Sequence, residues 1–583
     1  MCGIAGLVAP TGQTPDEAVL ERLTLALGHR GPDGRGRHVR GPVGLVQTRL
    51  SIIDLEGGRQ PILDRDGRAI VANGEIYNDP DLRAAMPDVA FATASDSEPP
   101  LHLYARHGDG FADRLRGMYA LAIDDPATGR VVLARDPFGI KPLYLARGDW
   151  GIAFASEAQA LIKAGLVAPR IDAQARAELL QMQFTCGEAT IFAGISRVPA
   201  GATLAIENGS VRLLRRRAAL PAAGARTGDA DTLLDALDRV LTQSVEAHQR
   251  ADVPFGMFLS GGIDSSVLLA LMARLNPRPV LAYTAGFPGT GVHDERERAR
   301  TLARTLGAEH IEVAFDQADF WRLLPQVAAA MDDPAADYAC LPTFKLAARA
   351  RQDVKVILSG EGGDELFGGY GRYRAAMRPW PLGRPMRRRG TFDGLDVLRP
   401  LPGWRDRFAQ AERAAATAGR SRLQAAQATD CADWLANDLL IKADRCLMAN
   451  AVEGRVPFLD PLVADFAFGL ADRWKVRDGL GKHLLRLWLD RTLPVARPFE
   501  RKRGFTVPVG EWMAARPGIG ALVAAAPGIA EIARPGAVER LFANTGRKTA
   551  FARWSLLFYA LWHHIHILGV APQGDAFDTL SAR

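Results

Sequence analysis

The chain has 583 residues and a formal net charge of +6, from 72 lysines and arginines against 66 aspartates and glutamates. Hydrophobic residues make up 48% and charged residues 24%, which excludes a mainly disordered protein, and the length predicts two or more domains. Over this length, the charge excess is too small to indicate nucleic acid binding.

Cysteine usage and hydropathy narrow the class of protein further. None of the five cysteines forms a CxxC pair, so we predict neither a disulfide framework nor a zinc site. No apolar run approaches the length of a membrane span, and the first residues lack the pattern of a secretory signal. We therefore expect a cytoplasmic protein without a membrane segment.

Short strands broken by turns fill the first two hundred residues. The clearest are apolar or alternating segments at 44–53, 69–77, 118–124 and 130–136. They predict a strand-rich α+β domain over 2–210. A polar, turn-prone segment at 211–231 is typical of a linker, with a surface loop inside one domain as the alternative.

Strands and helices alternate after this segment. Buried-type strands are predicted at 253–260, 280–287 and 354–359, and helices at 264–275 and 295–307. This order predicts a doubly wound parallel sheet in a second domain, 232–583, whose last third is mostly helical in pattern.

The chain opens MCGIAG, with a thiol one residue from its start. Accident is one explanation. The other is that Met1 is removed, which gives Cys2 both a thiol and a free α-amine. Their ordinary pKa values, about 8.5 and about 8, are close enough for the amine to take the thiol proton near neutral pH. Cys2 would then be a nucleophile that needs no histidine.

The segment FLSGGIDSS (258–266) lies between a predicted strand and a predicted helix. Its glycines allow close approach of an anion, and its serines and the helix N-terminus supply donors. SGGxDS after an apolar strand is typical of ATP pyrophosphatases, in which Asp264 would help to hold Mg²⁺ on the phosphates. The alternative is that Asp264 only caps the helix.

A second glycine-rich segment, VILSGEGGDELFGGY (356–370), also follows a predicted parallel strand. Ligands of doubly wound sheets bind at this edge. Glu361, Asp364 and Glu365 would repel a triphosphate unless Mg²⁺ or a cationic group lies between them. A solvated acidic turn is the alternative.

Motifs of the first domain suit an N-terminal thiol that acts on glutamine. Arg49 of TRLSIID can bind the α-carboxylate, and Asp96 of TASDSE can bind the α-ammonium group. In NGEIYN, the Asn73 side chain and the Gly74 N–H can hold the tetrahedral oxyanion. Each motif alone has a structural explanation, but their joint occurrence behind Cys2 favours catalysis.

At this point the chain resembles a known family. MCGIAG, HRGPD, RLSIID, NGEIYN and SDSE are similar to the class II glutamine amidotransferase domain, an N-terminal nucleophile hydrolase fold with a four-layer αββα sandwich. FLSGGIDSS, LSGEGGDELFGGY, KADRCLMANAVEGRVPFLD (442–460) and GKHLLR (481–486) resemble the ATP-pyrophosphatase domain of glutamine-hydrolysing asparagine synthetase. The resemblance runs from residue 2 to about 515.

The family implies a reaction at two sites. Cys2 forms a glutamyl thioester and releases ammonia, which passes through an internal tunnel. ATP with Mg²⁺ activates the aspartate side chain as β-aspartyl-AMP, and ammonia displaces AMP to give asparagine. The family also implies a homodimer. Glutamine, ATP and aspartate or another carboxylate are then the partners.

The resemblance also assigns site residues. Cys2, Asn73, Gly74, Glu361 and Lys482 would be catalytic, and Asp264 and Asp364 would hold the metal. Glutamine would be bound by Arg49, Leu50, Ser51, Ile52, Ile53, Asn73, Gly74, Glu75 and Asp96. ATP would be bound by Leu259, Ser260, Gly261, Gly262, Asp264, Ser265, Ser266, Ala285, Ser359 and Gly360.

Two departures from the family pattern leave alternatives open. Pro99 and Pro100 replace the usual helix formers, which puts the turn behind Asp96 in doubt. FERKRGFTVPVGEW (499–512) resembles amidotransferases of polysaccharide or secondary-metabolite pathways, which puts the acceptor carboxylate in doubt. An alternative of another class is a glutaminase with an inactive second domain, although the intact glycine-rich loops argue against it.

Overall fold

A computed structural model describes residues 2–224, 226–292, 294–379, 385–401, 403–500 and 506–582, without the side chain of residue 547. Residues 501–505 of the FERKRGFTVPVGEW motif lie outside these ranges. Within them, none of the helices combines the length and the apolar composition that a membrane crossing needs.

Two antiparallel six-stranded sheets form the N-terminal region. Their orders are β10-β8-β9-β1-β3-β2 and β12-β11-β7-β6-β5-β4. The strands are β1 Cys2–Val8, β2 Gly34–Arg40, β3 Val43–Arg49, β4 Ile62–Leu63, β5 Ala69–Ile76, β6 Gly117–Asp125, β7 Arg130–Arg135, β8 Tyr144–Gly148, β9 Gly151–Ala155, β10 Ile195–Arg197, β11 Ala202–Glu207 and β12 Ser210–Arg216.

The two sheets stack face to face, with helices on their outer faces. Side chains such as Ile4, Val71 and Leu133 form the apolar layer between them. One outer face packs against α1 Glu17–Ala26, α4 Ala158–Lys163 and α5 Ala173–Met182, and the other against α2 Asp79–Ala84 and α3 Pro99–His107. A 3₁₀ segment, Gly108–Arg114, follows α3. The predicted αββα N-terminal nucleophile sandwich is therefore confirmed.

Three local expectations are corrected. The strand predicted at 44–53 ends at Arg49, because its guanidinium binds the carbonyls of Ile53 and Leu55 and curls the chain back. Residues 211–216 of the predicted linker lie in β12, which pairs with β11. Pro99 and Pro100 form the first turn of α3, where a missing N–H costs no hydrogen bond, so they do not break the helix behind Asp96.

A five-stranded parallel sheet organises the C-terminal region, in the order β15-β14-β13-β16-β17. Apolar clusters cover both of its faces, one with α7 and the other with α10, which confirms the doubly wound arrangement. The strands are β13 Phe255–Phe258, β14 Leu281–Gly286, β15 Glu309–Ala314, β16 Val356–Leu358 and β17 Glu453–Arg455, and a separate hairpin is formed by β18 Val476–Arg477 and β19 Leu480–Gly481.

Helices surround this sheet and form most of the chain after residue 400, as predicted. The first is capped by Asp229, whose carboxylate accepts from Thr232 N at 2.9 Å. The helices are α6 Ala230–His248, α7 Ile263–Leu275, α8 Arg296–Thr305, α9 Gln317–Ala330, α10 Cys340–Ala350, α11 Gly363–Phe367, α12 Gly371–Ala376, α13 Asp406–Ala415, α14 Arg422–Asp430, α15 Leu440–Met448, α16 Pro461–Gly469, α17 Asp472–Lys475, α18 His483–Thr492, α19 Val509–Ala515, α20 Ile519–Ala525, α21 Pro527–Ala530, α22 Ala537–Ala543, α23 Arg547–His566 and α24 Ala576–Ser581. A π-helical segment, Cys431–Leu439, joins α14 to α15, and 3₁₀ turns lie at Pro457–Leu459 and Pro494–Ala496.

Buried ion pairs join the two regions, and we call them the charged seam. Arg30 of the HRGPD motif donates to both carboxylate oxygens of Asp444 on α15, at 2.8 and 3.0 Å, and to Glu157 at 2.7 Å. Arg445 binds Asp332 at 2.6 Å and Asp444 at 2.8 Å. Burial opposes ionisation of Asp444, but Arg30 and Arg445 hold the pKa of Asp444 below its usual value.

Replacing Asp444 by asparagine is expected to lower the free energy of unfolding by about 3 kcal/mol, because it leaves two buried guanidinium groups short of a counter-charge. Urea unfolding measures this difference. The control is Asp113→Asn, since Asp113 pairs with Arg215 at 2.6 Å where both side chains are exposed. Its expected change is below about 1 kcal/mol, and equal losses in both variants would contradict a special role for the seam.

Candidate active site

Cys2 begins β1 and lies deep in the N-terminal region. Cys2 lies opposite Arg49 in the antiparallel pairing of β1 with β3, and only 8% of the residue is exposed. Its backbone N donates to Asn73 Oδ1 at 3.1 Å, and its carbonyl accepts from Arg30 Nε at 3.2 Å. The start of the chain is therefore held in the sheet by two of the predicted motifs.

Asn73 and Gly74 stand beside Cys2 on β5. Asn73 is fully buried, and its Nδ2 has no hydrogen-bond partner in the described parts of the chain. A buried donor without a partner is costly unless a ligand uses it. At Gly74 a Cβ would lie 2.0 Å from the carbonyl oxygen of Met118, so only glycine fits there. The arrangement suits an oxyanion that forms next to Cys2.

The Cys2 thiol needs a base to react near neutral pH. Burial raises the pKa of Cys2, although the positive charge of the chain's N-terminus, a backbone N–H of Leu50 and the charge of Arg49 oppose the rise. The thiolate is the nucleophilic form of cysteine. Since the described pocket walls carry no histidine, the α-amine remains the expected proton acceptor.

The segment after β3 forms one wall of a pocket that opens on Cys2. Of the residues predicted to bind glutamine in this segment, Leu50, Ile52 and Ile53 line the pocket and Ser51 does not. The backbone N–H of Ser51 donates to Asp33 Oδ2 at 2.9 Å. Arg49 also lines the pocket. Three of its N–H groups are used on the carbonyls of residues 53–55, which leaves two for a carboxylate.

The two predicted carboxylates of the glutamine pocket differ in their surroundings. Asp96 accepts from Ile76 N at 2.7 Å, and burial raises the pKa of Asp96 to about 6. Glu75 pairs with Arg455 of the C-terminal region at 3.0 Å. Burial and the charge of Asp96 raise the pKa of Glu75 well above its usual value. The structure thus brings both residues to the pocket but ties Glu75 to another region.

Further residues line this pocket that sequence reasoning missed. They include Gln60, Ala72, Ser95, Ser97 and Glu453. Glu453 belongs to the C-terminal sheet, and nothing in its local pattern separates it from an ordinary strand carboxylate. Only the packing of the two regions reveals its position.

A second and larger cavity, of about 1220 Å³, lies at the carboxyl edge of the parallel sheet. Most of the residues predicted for ATP, the metal and catalysis line it: Leu259, Ser260, Gly262, Asp264, Ser265, Ala285, Ser359, Gly360, Glu361, Asp364 and Lys482. Gly261 and Ser266 do not line it. Ser266 turns inward and donates to the Gly262 carbonyl at 2.7 Å, and Gly261 packs on Arg298 with φ +68°.

The two glycine-rich loops meet in this cavity. The first precedes α7, whose N-terminus offers backbone donors to an anion. The second packs directly against it, since a Cβ on Gly363 would lie 2.5 Å from Asp264 Oδ1. Both loops follow neighbouring strands, β13 and β16, as the sequence predicts.

Lys482 lies between the two predicted metal ligands. Its Nζ pairs with Asp264 Oδ2 and with Asp364 Oδ1, the latter at 2.8 Å. The lysine is buried, has φ +60° and immediately precedes α18. Its ammonium group neutralises part of the negative charge of the acidic segment Glu361, Asp364 and Glu365.

These residues fit a magnesium ion that arrives with a triphosphate. Asp264 Oδ1 has no hydrogen-bond partner among the described residues, although it is buried. No group of three or more potential metal ligands is found in the described ranges. Mg²⁺ on nucleotides needs only one or two protein carboxylates, because phosphates and water complete its shell.

Glu361 and Lys442 form a second charged group in the cavity. Lys442 Nζ lies 3.5 Å from Glu361 Oε1 and 3.2 Å from Asp337 Oδ2. Burial opposes the ammonium charge, but the surrounding carboxylates raise the pKa of Lys442. Glu365 is turned away and accepts from the Tyr370 hydroxyl at 2.6 Å, and burial with nearby Asp364 raises its pKa to about 8.

One apolar cluster extends between the two sites. It includes Leu50 and Ile52 from the wall of the glutamine pocket, and Met257 and Leu259 from the base of the larger cavity. Met118, whose carbonyl faces Gly74, belongs to the same cluster. Both sites therefore border one buried apolar cluster.

Two family models match this chain, one in each region. Residues 1–216 match the family model described as a glutamine amidotransferase domain, and residues 236–564 match the model described as asparagine synthase.

Proteins named asparagine synthetase [glutamine-hydrolyzing] match most of this chain. A putative asparagine synthetase [glutamine-hydrolyzing] of Mycobacterium tuberculosis is 35% identical over 98% of both chains. Asparagine synthetase [glutamine-hydrolyzing] 1 of Bacillus subtilis is 31% identical over 97% of both chains. Asparagine synthetase B [glutamine-hydrolyzing] of Escherichia coli is 28% identical over 84% of this chain and 78% of its own.

Proposed function

This chain belongs to the glutamine-hydrolysing asparagine synthetase family, and from that premise we propose that it moves the amide nitrogen of glutamine to the side-chain carboxylate of aspartate, at the expense of ATP. The products are asparagine, glutamate, AMP and pyrophosphate. The reaction has two halves: glutamine hydrolysis in the N-terminal region and aspartate activation in the C-terminal region.

Glutamine hydrolysis takes place in the pocket at Cys2. The thiol sulfur attacks the amide carbon, and the α-amine of the trimmed chain takes the thiol proton. Asn73 Nδ2 and the Gly74 N–H hold the oxyanion. The C–N bond then breaks, the ammonium group returns a proton to the leaving nitrogen, and ammonia departs. Water hydrolyses the thioester to glutamate and frees the thiol.

Ammonia must reach the second site without becoming ammonium, because ammonium has no lone pair for attack. The apolar cluster that borders both pockets supports an internal path, since its side chains are buried from water. We assign this path to the boundary between the two regions.

Aspartate activation takes place in the larger cavity. A carboxylate oxygen of aspartate attacks the α-phosphorus of ATP, and the bond to pyrophosphate breaks. Ammonia attacks the acyl carbon, passes a proton to Glu361, and expels AMP. Lys482 and the loop N–H groups stabilise the charge that moves onto the phosphates. Mg²⁺ held by Asp264 and Asp364 would neutralise the leaving pyrophosphate.

Two wider properties stay proposals. The five free thiols support a reducing cytoplasm. A homodimer is supported by the family resemblance alone, and light scattering of the purified protein decides between one and two copies.

The observation that carries the proposal is Lys482, joined to Asp264 and Asp364 where both glycine-rich loops meet. With ATP and glutamine present, we expect the release of pyrophosphate from ATP to depend on aspartate. One glutamate should form for each pyrophosphate released. A coupled pyrophosphate assay with a panel of carboxylates measures this dependence.

The same panel tests the alternatives. If another carboxylate, such as a sugar acid, drives release while aspartate does not, the acceptor assignment is wrong and the chemistry stands. Glutamate formation without pyrophosphate release, whatever acid is added, would indicate a glutaminase with an inactive second domain.

A further inference from the structure

Strand β17 carries the C-terminal sheet into the glutamine pocket. It is the edge strand of that sheet, and it runs Glu453-Gly454-Arg455. Each of these residues contacts the N-terminal region. Glu453 lines the pocket together with Cys2, Lys141 Nζ donates to the Gly454 carbonyl at 3.3 Å, and Arg455 pairs with Glu75 at 3.0 Å.

The carboxylate of Glu453 is held in place and kept ionised. Its side chain is fully buried, and Oε1 accepts from Arg455 Nε at 2.6 Å. Arg455 is itself fixed by the carbonyls of His248 and Arg250. Burial opposes the charge of Glu453, but the positive charge of the chain's N-terminus, followed by those of Arg455 and Lys141, holds its pKa low, at about 2.

The mechanism creates a positive charge that needs a partner in this pocket. When the α-amine of Cys2 takes the thiol proton, it becomes an ammonium group in a buried site. Its backbone nitrogen faces Asn73 Oδ1, a neutral acceptor. A buried cation without a counter-charge is strongly disfavoured. The base therefore works only if an anion lies near it.

Several charged groups face Cys2 from the elements packed around it: Arg49 on β3, Arg30 before β2, Glu75 on β5, Asp96 on its loop, and Glu453 on β17. The arginines cannot stabilise an ammonium group. Glu75 and Asp96 have raised pKa values, and Asp96 is placed for the substrate. Glu453 is the one carboxylate in this set whose pKa lies below its usual value.

We propose that Glu453 is the anionic partner of the Cys2 α-amino group and stabilises the ammonium form during glutamine hydrolysis. This role rests on the proposed function, because it requires Cys2 as nucleophile with a free amine. Glu453 is a positioning residue that acts through the amine. It follows that the glutaminase site is complete only when the C-terminal sheet is docked against it.

The test is the pH dependence of glutaminase kcat/KM, whose acid limb reports the pKa of the free amine. Replacing Glu453 by glutamine removes an anion, which lowers the amine pKa. We expect the acid limb to move to lower pH by about one unit, and the plateau to fall by about 10- to 100-fold. Ammonia-dependent asparagine synthesis should stay within about twofold of the unaltered protein.

Two further variants separate this role from simple docking. Glu453→Asp keeps the charge and is expected to restore the acid limb. Asp460→Asn breaks another ion pair between the regions, which buried Asp460 forms with partly exposed Arg116 at 2.8 Å outside the pocket, and it should leave the limb in place. An unmoved limb in Glu453→Gln, or an equal movement in Asp460→Asn, would overturn the proposal.

A measurement that does not depend on the folding of Glu453→Gln completes the test. In the Cys2→Ala variant, the α-amine can be labelled by reductive methylation with ¹³C-formaldehyde and titrated by NMR. We expect a pKa above the ordinary value of about 8, and a lower one contradicts an anionic partner. If the unaltered protein shows no glutaminase activity that depends on Cys2, the proposed function fails instead, so the two failures are distinguishable.

Discussion

Replacing Cys2 by alanine is expected to abolish glutamine-dependent synthesis and glutaminase activity, by at least about 10⁴-fold, since the thioester cannot form. Ammonia-dependent synthesis should persist at close to the unaltered rate. The reason is spatial. Cys2 lies in its own pocket in the N-terminal sheets, and the larger cavity is lined by none of the residues around it. Glutamate formation and pyrophosphate release, assayed with glutamine and then with ammonium chloride, measure the two activities separately.

Cys186→Ala is the matched control for this variant. Cys186 is also fully buried in the N-terminal region, but it lies in a separate apolar cluster and lines neither pocket. Both activities should survive in it. Loss of ammonia-dependent synthesis in a folded Cys2→Ala protein would mean that the two sites are not separate.

The second large effect is expected from Asp264→Ala. This change should reduce pyrophosphate release by about 10³-fold, because it removes a metal-directed carboxylate and the partner of Lys482 together. Glutamate formation from glutamine should continue, since Asp264 belongs to the larger cavity alone. Parallel assays of pyrophosphate and glutamate on one preparation give the ratio directly.

Asp235→Ala supplies the comparison for Asp264. Asp235 pairs with Arg491 on the surface, where both side chains are largely exposed. Removing it should change neither assay. Pyrophosphate release that survives in Asp264→Ala would show that the metal assignment is wrong, and raising the magnesium concentration should leave a true loss unrepaired.

Local signals were enough to predict much of this molecule. The hydrophobic period and turn residues gave β5, β6 and β7 to within a residue or two, and the alternation after 253 gave the parallel sheet. The two glycine-rich loops could also be predicted as phosphate-binding loops, because the residues that such a loop needs are adjacent in the sequence. The needs of glutamine hydrolysis, a nucleophile and an oxyanion donor, predict that Cys2 and Asn73 lie together although they are far apart in sequence.

Other features depend on packing that a single sequence does not reveal. Arg455 and Glu75 are 380 residues apart, and either could have been an ordinary strand residue. Arg49 was assigned to the glutamine carboxylate, but most of its described hydrogen bonds hold the turn at residues 53–55. Its role toward substrate stays a prediction. The sequence predicts a linker at 211–216, where the structure has a strand, because the arginines and leucines of β12 are largely exposed on a sheet edge.

The charged seam has a consequence for how the two regions respond to their surroundings. Salt weakens charge pairs that water and ions can reach, whereas Arg30, Arg445 and their carboxylates have almost no contact with solvent. We therefore expect salt concentrations that weaken exposed ion pairs to leave the charged seam intact. The proposed ammonia path then lies within a body that changes of ionic strength do not open.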